Sequence, residues 1–151
     1  MKILFVCLGN ICRSPLAEEI ARDLAKQLSM DIKVDSAGTG NWHIGEPPCE
    51  HSIKIARQNG LDISKLRARQ VGVHDFKNFD MVVGLDASNI ANLKKMGCTN
   101  PLLLGDFGFD GEDVPDPYFF AGFEGFQKVY EMIKSCVENL LENINTNNYQ
   151  Q

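Results

Sequence analysis

The sequence predicts an α/β fold in which a parallel sheet carries helices on both faces. Three observations lead there. Two short continuous apolar runs, Lys2 to Val6 and Met81 to Leu85, read as strands buried on both sides. Helical patterns lie between the strand candidates, and right-handed crossovers satisfy such an alternation. The chain has 151 residues, 44% hydrophobic and 23% charged, which suits one domain over residues 1–151 with a substantial core.

The elements follow in order. After the first strand, Ser14 to Ser29 reads as a helix with Ser14 as cap, Pro15 in the first turn and Glu18 and Glu19 early. Its apolar residues Leu16, Ile20, Leu24 and Leu28 form one stripe. Ile32 to Ser36 is a weaker strand. Glu50 to Gln58 is a helix stopped by Asn59-Gly60. The run at 81–85 is followed by a helix from Asp86 to Met96, capped by Asp86 and ended by Gly97, then by a weak strand from Pro101 to Leu104. A long amphipathic helix covers Phe123 to Ile144 through Phe126, Val129, Ile133, Val137, Leu140 and Leu141; the polar tail, 145–151, is expected to fray. Between Gly105 and Gly122 there is no clear period, and loops of that length usually work. This one holds Asp106, Asp110, Asp113, Asp116, Tyr118, Phe119 and Phe120.

Composition excludes several classes. Fifteen Lys and Arg against twenty Asp and Glu give a net charge of −5, so nucleic acid is not an expected partner. No apolar run approaches the ~20 residues of a spanning helix, and Lys2 to Val6 is too short for a secretory signal. The expectation is a cytoplasmic protein without membrane insertion, acting as a monomer. Five cysteines, at 7, 12, 49, 98 and 136, make no C-x-x-C pair, and none of the three histidines is spaced to complete a zinc site. Cys98 and Cys136 read as small buried hydrophobes. Cys49, after Pro47-Pro48, is undecided.

The sharpest signal is Cys7-Leu8-Gly9-Asn10-Ile11-Cys12-Arg13-Ser14. A turn from a buried strand into a helix aims backbone N–H groups and the positive helix end at one spot, where an anion binds. Gly9 and Asn10 tolerate the left-handed backbone that a nest of amides needs. The loop has neither the Gly-Lys pair of a P-loop nor G-x-G-x-x-G. Instead it has a thiol at its mouth and a guanidinium five residues further on. A helix N-terminus and a nearby cation favour thiolate over thiol, Arg13 can hold two phosphoryl oxygens with its planar fork, and Ser14 can hydrogen-bond the sulfur. This points to attack by Cys7 on a bound phosphate ester. A basic leaving group on such an ester needs a proton from a positioned acid, worth about 10²–10⁴-fold. Pro115 and Pro117 stiffen the backbone around Asp116 alone among the four loop aspartates.

Val6 to Pro15, Asp35-Ser36-Ala37-Gly38-Thr39 and Asp116-Pro117-Tyr118 together resemble the low-molecular-weight protein tyrosine phosphatases over nearly the full chain. The resemblance implies a four-stranded parallel sheet with the phosphate-binding loop after its first strand, a phosphocysteine intermediate, and neither metal nor cofactor. It implies Cys7 as nucleophile, Arg13 as clamp, Asp116 as general acid and Leu8, Gly9, Asn10, Ile11, Cys12, Arg13 and Ser14 as the phosphate cradle. Asn10 holds the loop, with Ser36 in support. The expected substrate is a phosphotyrosine protein or aryl phosphate, with Trp42, Tyr118 and Phe119 as its expected wall and Cys12 as the expected redox partner of Cys7.

This chain departs from the family at two places. Phe119 stands where a second tyrosine is common, and Leu66 where a loop-supporting His is common; His74 is a possible substitute. His43 and His51 read as surface residues. Ile11 leans away from the related phosphoarginine phosphatases, which carry Thr there. Arsenate reductases of this fold need relay cysteines on and after the 81–85 strand, where Gly84, Leu85 and Asp86 stand. The remaining alternative is a catalytically silent phosphate-binding or redox-sensing module.

Overall fold

The computed structural model describes residues 1–117 and 122–150, with side chains through 146. Four parallel strands, β1 (Lys2–Cys7), β2 (Lys33–Gly38), β3 (Met81–Gly84) and β4 (Leu102–Leu103), form one sheet in the order β2-β1-β3-β4. The central strand β1 is buried on both faces, as its unbroken apolar run predicts. Ile3, Phe5 and Cys7 face a large core shared with α1 (Arg13–Gln27), α2 (Glu50–Gln58) and α5 (Glu124–Gln150). Leu4 and Val6 face a smaller one under α4 (Ala87–Lys95), where Leu93 and Cys98 pack with Phe76 and Phe79. Burial of the apolar side chains on both faces holds the layers together.

Several boundaries differ from the sequence reading. The N-cap of α1 is Cys12, which makes no side-chain cap bond, and Ser14 sits inside the first turn. Leu28 is 53% exposed, while Ala17, Ala21 and Ala25 join Leu16 and Ile20 in the core. A strict four-residue spacing rotates about 40° per step on a 3.6-residue helix, which carries Leu28 off the buried face. A short helix α3 (Asp75–Asn78) and a 3-10 turn, Leu104–Asp106, were not expected. The last helix continues to Gln150, past the apolar stripe that ends at Ile144, where the sequence reading placed a frayed tail. The Asp86 cap and the glycine stops stand as read: Asp86 accepts from Asn89 N in a capping box, and Gly60 and Gly97 take positive φ.

The non-periodic segment is pinned at its middle. Val114 N donates to Leu85 O at 2.8 Å, and Asp113 Oδ1 accepts from Ala87 N at 2.8 Å. Gly105 packs on the Glu112 backbone so closely that a Cβ would stand 1.7 Å from its carbonyl oxygen. These ties carry the chain past the end of β3 and bring Asp116 beside the end of β1.

Candidate active site

The turn between β1 and α1 is shaped by where its carbonyls go. Those of Cys7 and Leu8 accept from Thr39 N and Gly40 N at 3.0 and 2.9 Å, and that of Ile11 accepts from Cys49 N at 2.8 Å. The Cys12 carbonyl takes the Ser52 hydroxyl at 3.0 Å. In a trans peptide the next N–H points the opposite way. The amides of Leu8, Gly9, Cys12 and Arg13 are therefore turned inward around one point, at the N-terminus of α1. Such a nest favours an anion.

The Cys7 sulfur sits at its base, 2% exposed for the whole residue. Asn10 N donates to Sγ at 3.2 Å, and Ser14 Oγ lies 3.0 Å away. Asn10 takes φ +58°, the left-handed conformation that the sequence reading assigned to it and to Gly9. Gly9 does not share it. Its missing Cβ instead leaves room for His43, whose Cδ2 would lie 3.0 Å from that atom. Gly38 does a similar job on β2, since a Cβ there would meet Leu8 O at 2.7 Å.

A buried polar network fixes Asn10. Its Nδ2 donates to Ser14 Oγ at 2.8 Å and to Ser36 Oγ at 2.9 Å, and its Oδ1 accepts from Arg69 N at 3.0 Å. Ser36 in turn donates to Glu18 at 2.6 Å, and Glu18 pairs with Arg22. Burial pushes the Glu18 carboxyl above its usual range, against the hydrogen bonds from Ser36 and Arg22. Arg69 is anchored by Asp75 and Asp35. Burial of the Asp75 carboxyl works against its charge, but Arg69 and the Gly72 N–H outweigh it and hold the carboxyl below its usual range. His74 does not take the place left by Leu66: its side chain is 72% exposed, near Asp75.

Arg13 crosses the mouth of the nest. Its Nη1 donates to Asp86 Oδ2 at 2.7 Å and to Val114 O at 3.0 Å. Its Nε and Nη2 make no hydrogen bond among the described residues, which leaves one edge of the fork for an oxyanion. Burial lowers the guanidinium's hold on its proton, yet Cys7, Asp86 and Asp116 together outweigh burial and raise it above the ordinary value. A cleft of about 170 Å³ is lined by Cys7, Leu8, Gly9, Ile11, Cys12, Arg13, Trp42, His43 and Asp116. Trp42 is 68% exposed and its ring leans over Gly40, while His43 is held by Glu46 at 2.8 Å.

The structure thus brings Cys7, the loop residues, Arg13, Asp116 and Trp42 to one cleft, with Asn10 and Ser36 beneath it. Tyr118 and Phe119 lie outside the described residues. Sequence reasoning missed Asp86, Gly38, Glu18, Arg69 and the rim position of His43. The sequence marks Asp86 as a helix cap and as a position without a relay cysteine, not as a partner of Arg13; its place just beyond β3, next to β1, is the available signal.

A family model described as "Low molecular weight phosphotyrosine protein phosphatase" matches residues 2–150. The chain belongs to that family. Among its curated relatives, the low molecular weight protein-tyrosine-phosphatase YfkJ of Bacillus subtilis (strain 168) is 45% identical, over 95% of this chain and 96% of its own. The protein-tyrosine-phosphatase PtpA of Staphylococcus aureus (strain Newman) is 41% identical, over 94% and 92%. Of solved structures, that of a Drosophila arginine phosphatase superposes with a TM-score of 0.89 at 34% identity, covering 95% of this chain and 98% of its own.

Proposed function

We propose that the chain hydrolyses phosphotyrosine monoesters through a phosphocysteine on Cys7. The observation that carries this reading is the shared cleft: Cys7, whose sulfur accepts from Asn10 N, Arg13, held on one edge of its fork by Asp86, and Asp116 line it together. The ester's phosphoryl group occupies the nest, with two oxygens on Arg13 Nε and Nη2 and others on the loop amides. Cys7 attacks phosphorus in line, and Asp116 gives its proton to the departing phenolate oxygen. Charge that develops on the phosphoryl oxygens meets donors already aimed at them. Asp116, now a carboxylate, takes a proton from the water that attacks phosphorus, and the Cys7 thiolate leaves towards the Ser14 hydroxyl.

Ile11, on the cleft wall, supports a phenyl ester over phosphoarginine, and Trp42 supports it with a ring face on which a phenyl group stacks. The site is assembled from one chain, and buried thiols such as Cys98 and Cys136 suit a reducing compartment, so the reading takes the enzyme as a cytoplasmic monomer. Turnover of p-nitrophenyl phosphate and of phosphotyrosine and phosphoarginine peptides tests it. The expected result is preference for phosphotyrosine by kcat/KM, with Cys7→Ser inactive. Preference for phosphoarginine, or turnover surviving in Cys7→Ser, would overturn it. Trp42→Ala is expected to raise KM for aryl phosphates more than it lowers kcat.

A further inference from the structure

The thiol that touches Cys12 belongs to Cys49, which follows Pro47-Pro48 and forms the N-cap of α2. The two sulfurs are 2.7 Å apart. They belong to a closed circuit of hydrogen bonds: Cys12 Sγ donates to Cys49 Sγ, Cys49 Sγ to Ser52 Oγ at 3.1 Å, and Ser52 Oγ to the Cys12 carbonyl at 3.0 Å. Cys49 N also donates to Ile11 O at 2.8 Å. The loop and the start of α2 are therefore stitched together on either side of the sulfur pair, by bonds that do not depend on the sulfurs' oxidation state.

We propose that Cys12 and Cys49 form a second redox centre, a dithiol that a hydroperoxide closes to a disulfide, separate from the Cys7 nucleophile. Cys12 is 8% exposed and is among the residues that line the cleft, which gives a small peroxide its approach from the side where substrate enters. The Cys12 sulfur attacks the terminal peroxide oxygen and the O–O bond breaks. This leaves a sulfenic acid and, for hydrogen peroxide, one water. Cys49 then attacks the sulfenic sulfur, the S–O bond breaks, and hydroxide departs as water with the Cys49 proton. Two thiols lose two electrons and one hydroperoxide gains them.

The geometry favours this pairing. A disulfide needs its sulfurs about 2.05 Å apart, so closure moves them by less than an ångström. The backbone bonds already in place keep the loop amides where they are. Sequence reasoning paired Cys12 with Cys7 inside the loop. In this structure Cys49 competes with Cys7 for Cys12. Where peroxide takes the Cys7 nucleophile first, Cys12 attacks its sulfenic sulfur with loss of water, and Cys49 then attacks Cys12 Sγ and expels the Cys7 sulfur. The oxidised protein therefore holds the Cys12–Cys49 link with Cys7 released.

The test treats the full-length Cys7→Ser variant with one molar equivalent of hydrogen peroxide, followed by digestion without reductant and mass spectrometry. The expected product is a Cys12–Cys49 linked peptide that lacks two hydrogens, with two fewer titratable thiols and reversal by dithiothreitol. The link is expected to be absent from Cys7→Ser/Cys49→Ser. In wild-type protein Cys12–Cys49 is expected to be the major link. Isolated sulfenic or sulfinic acid on Cys12 in the Cys7→Ser variant, or Cys7–Cys12 as the major wild-type link, would overturn the proposal. Unoxidised Cys49→Ser is expected to keep p-nitrophenyl phosphate turnover within about twofold, since Cys49 is not among the described residues that line the cleft and a serine hydroxyl keeps a donor towards Ser52. The Cys7→Ser experiment needs no turnover, so its outcome is independent of the proposed hydrolysis.

Discussion

Asp86→Asn separates two roles that one carboxylate performs. Oδ1 caps α4 by accepting from Asn89 N at 2.8 Å, and Oδ2 holds Arg13 Nη1 at 2.7 Å. Asn caps a helix about as well as Asp, so its side-chain oxygen stays on Asn89 N. Its NH₂ group then faces Arg13, donor against donor. What is lost is one charge-assisted hydrogen bond between side chains that are 7% and 18% exposed, about 2 kcal/mol. Arg13 keeps only Val114 O on that nitrogen. If the anchor acts by aiming the open edge of the fork in the transition state, its full loss corresponds to a fall in kcat of up to about 30-fold. Phosphate binding moves differently, because removing a carboxylate beside the anion site removes repulsion. The assay is steady-state turnover of p-nitrophenyl phosphate with inhibition by inorganic phosphate, alongside thermal melting. A roughly tenfold or larger drop in kcat is expected, without an increase in the phosphate inhibition constant. A kcat within twofold of wild type would refute the positioning role. A melting temperature lowered by much more than about 6 °C, the shift that corresponds to about 2 kcal/mol in a chain of this size, would show that the cap had failed instead.

Two further outcomes follow from the network beneath the loop. Asn10→Ala loses the bonds to Ser14, Ser36 and Arg69 N and also forces a Cβ-bearing residue without a polar side chain into φ +58°; Asn10→Gly loses the same bonds without the conformational cost. Both are expected to lose most activity, with Ala about 1 kcal/mol less stable than Gly by chemical denaturation, and equal stability would count against strain at this position. Asp75→Asn removes the charge that faces Arg69 and is expected to cost about 2 kcal/mol at neutral pH. Because the folded-state pKa of Asp75 is depressed, its contribution is present above the ordinary carboxylate pKa and is lost as pH falls through the folded value. The gap between variant and wild type should therefore close on acidification below about pH 4; a gap that persists there would contradict the assignment.

Much of the site was legible because its residues are local to one strand-to-helix turn. Cys7, Asn10, Arg13 and Ser14 stand within eight consecutive positions, and the buried run before them and the amphipathic stripe after them mark where the amides converge. Asp116 was legible through its two flanking prolines. The residues that were missed act across long sequence separations. Asp86 reaches Arg13 only because β3 lies beside β1 in the sheet, and Gly38 matters only because β2 carries the loop against its backbone. Neither relation leaves a local pattern. The Cys12–Cys49 contact is of the same kind, since thirty-seven positions separate the two sulfurs that the fold brings together.

The central claim is a phosphorus–sulfur bond formed at the end of β1. Rapid acid quench of Asp116→Ala during turnover of an aryl phosphate, followed by peptide mass spectrometry under conditions that preserve thiophosphate, tests it most directly. The prediction is a phosphoryl group on the peptide that holds Cys7, accumulating with release of the first equivalent of phenol. Release of phenol with no phosphorylated peptide, or with the group on any other side chain, would contradict the account.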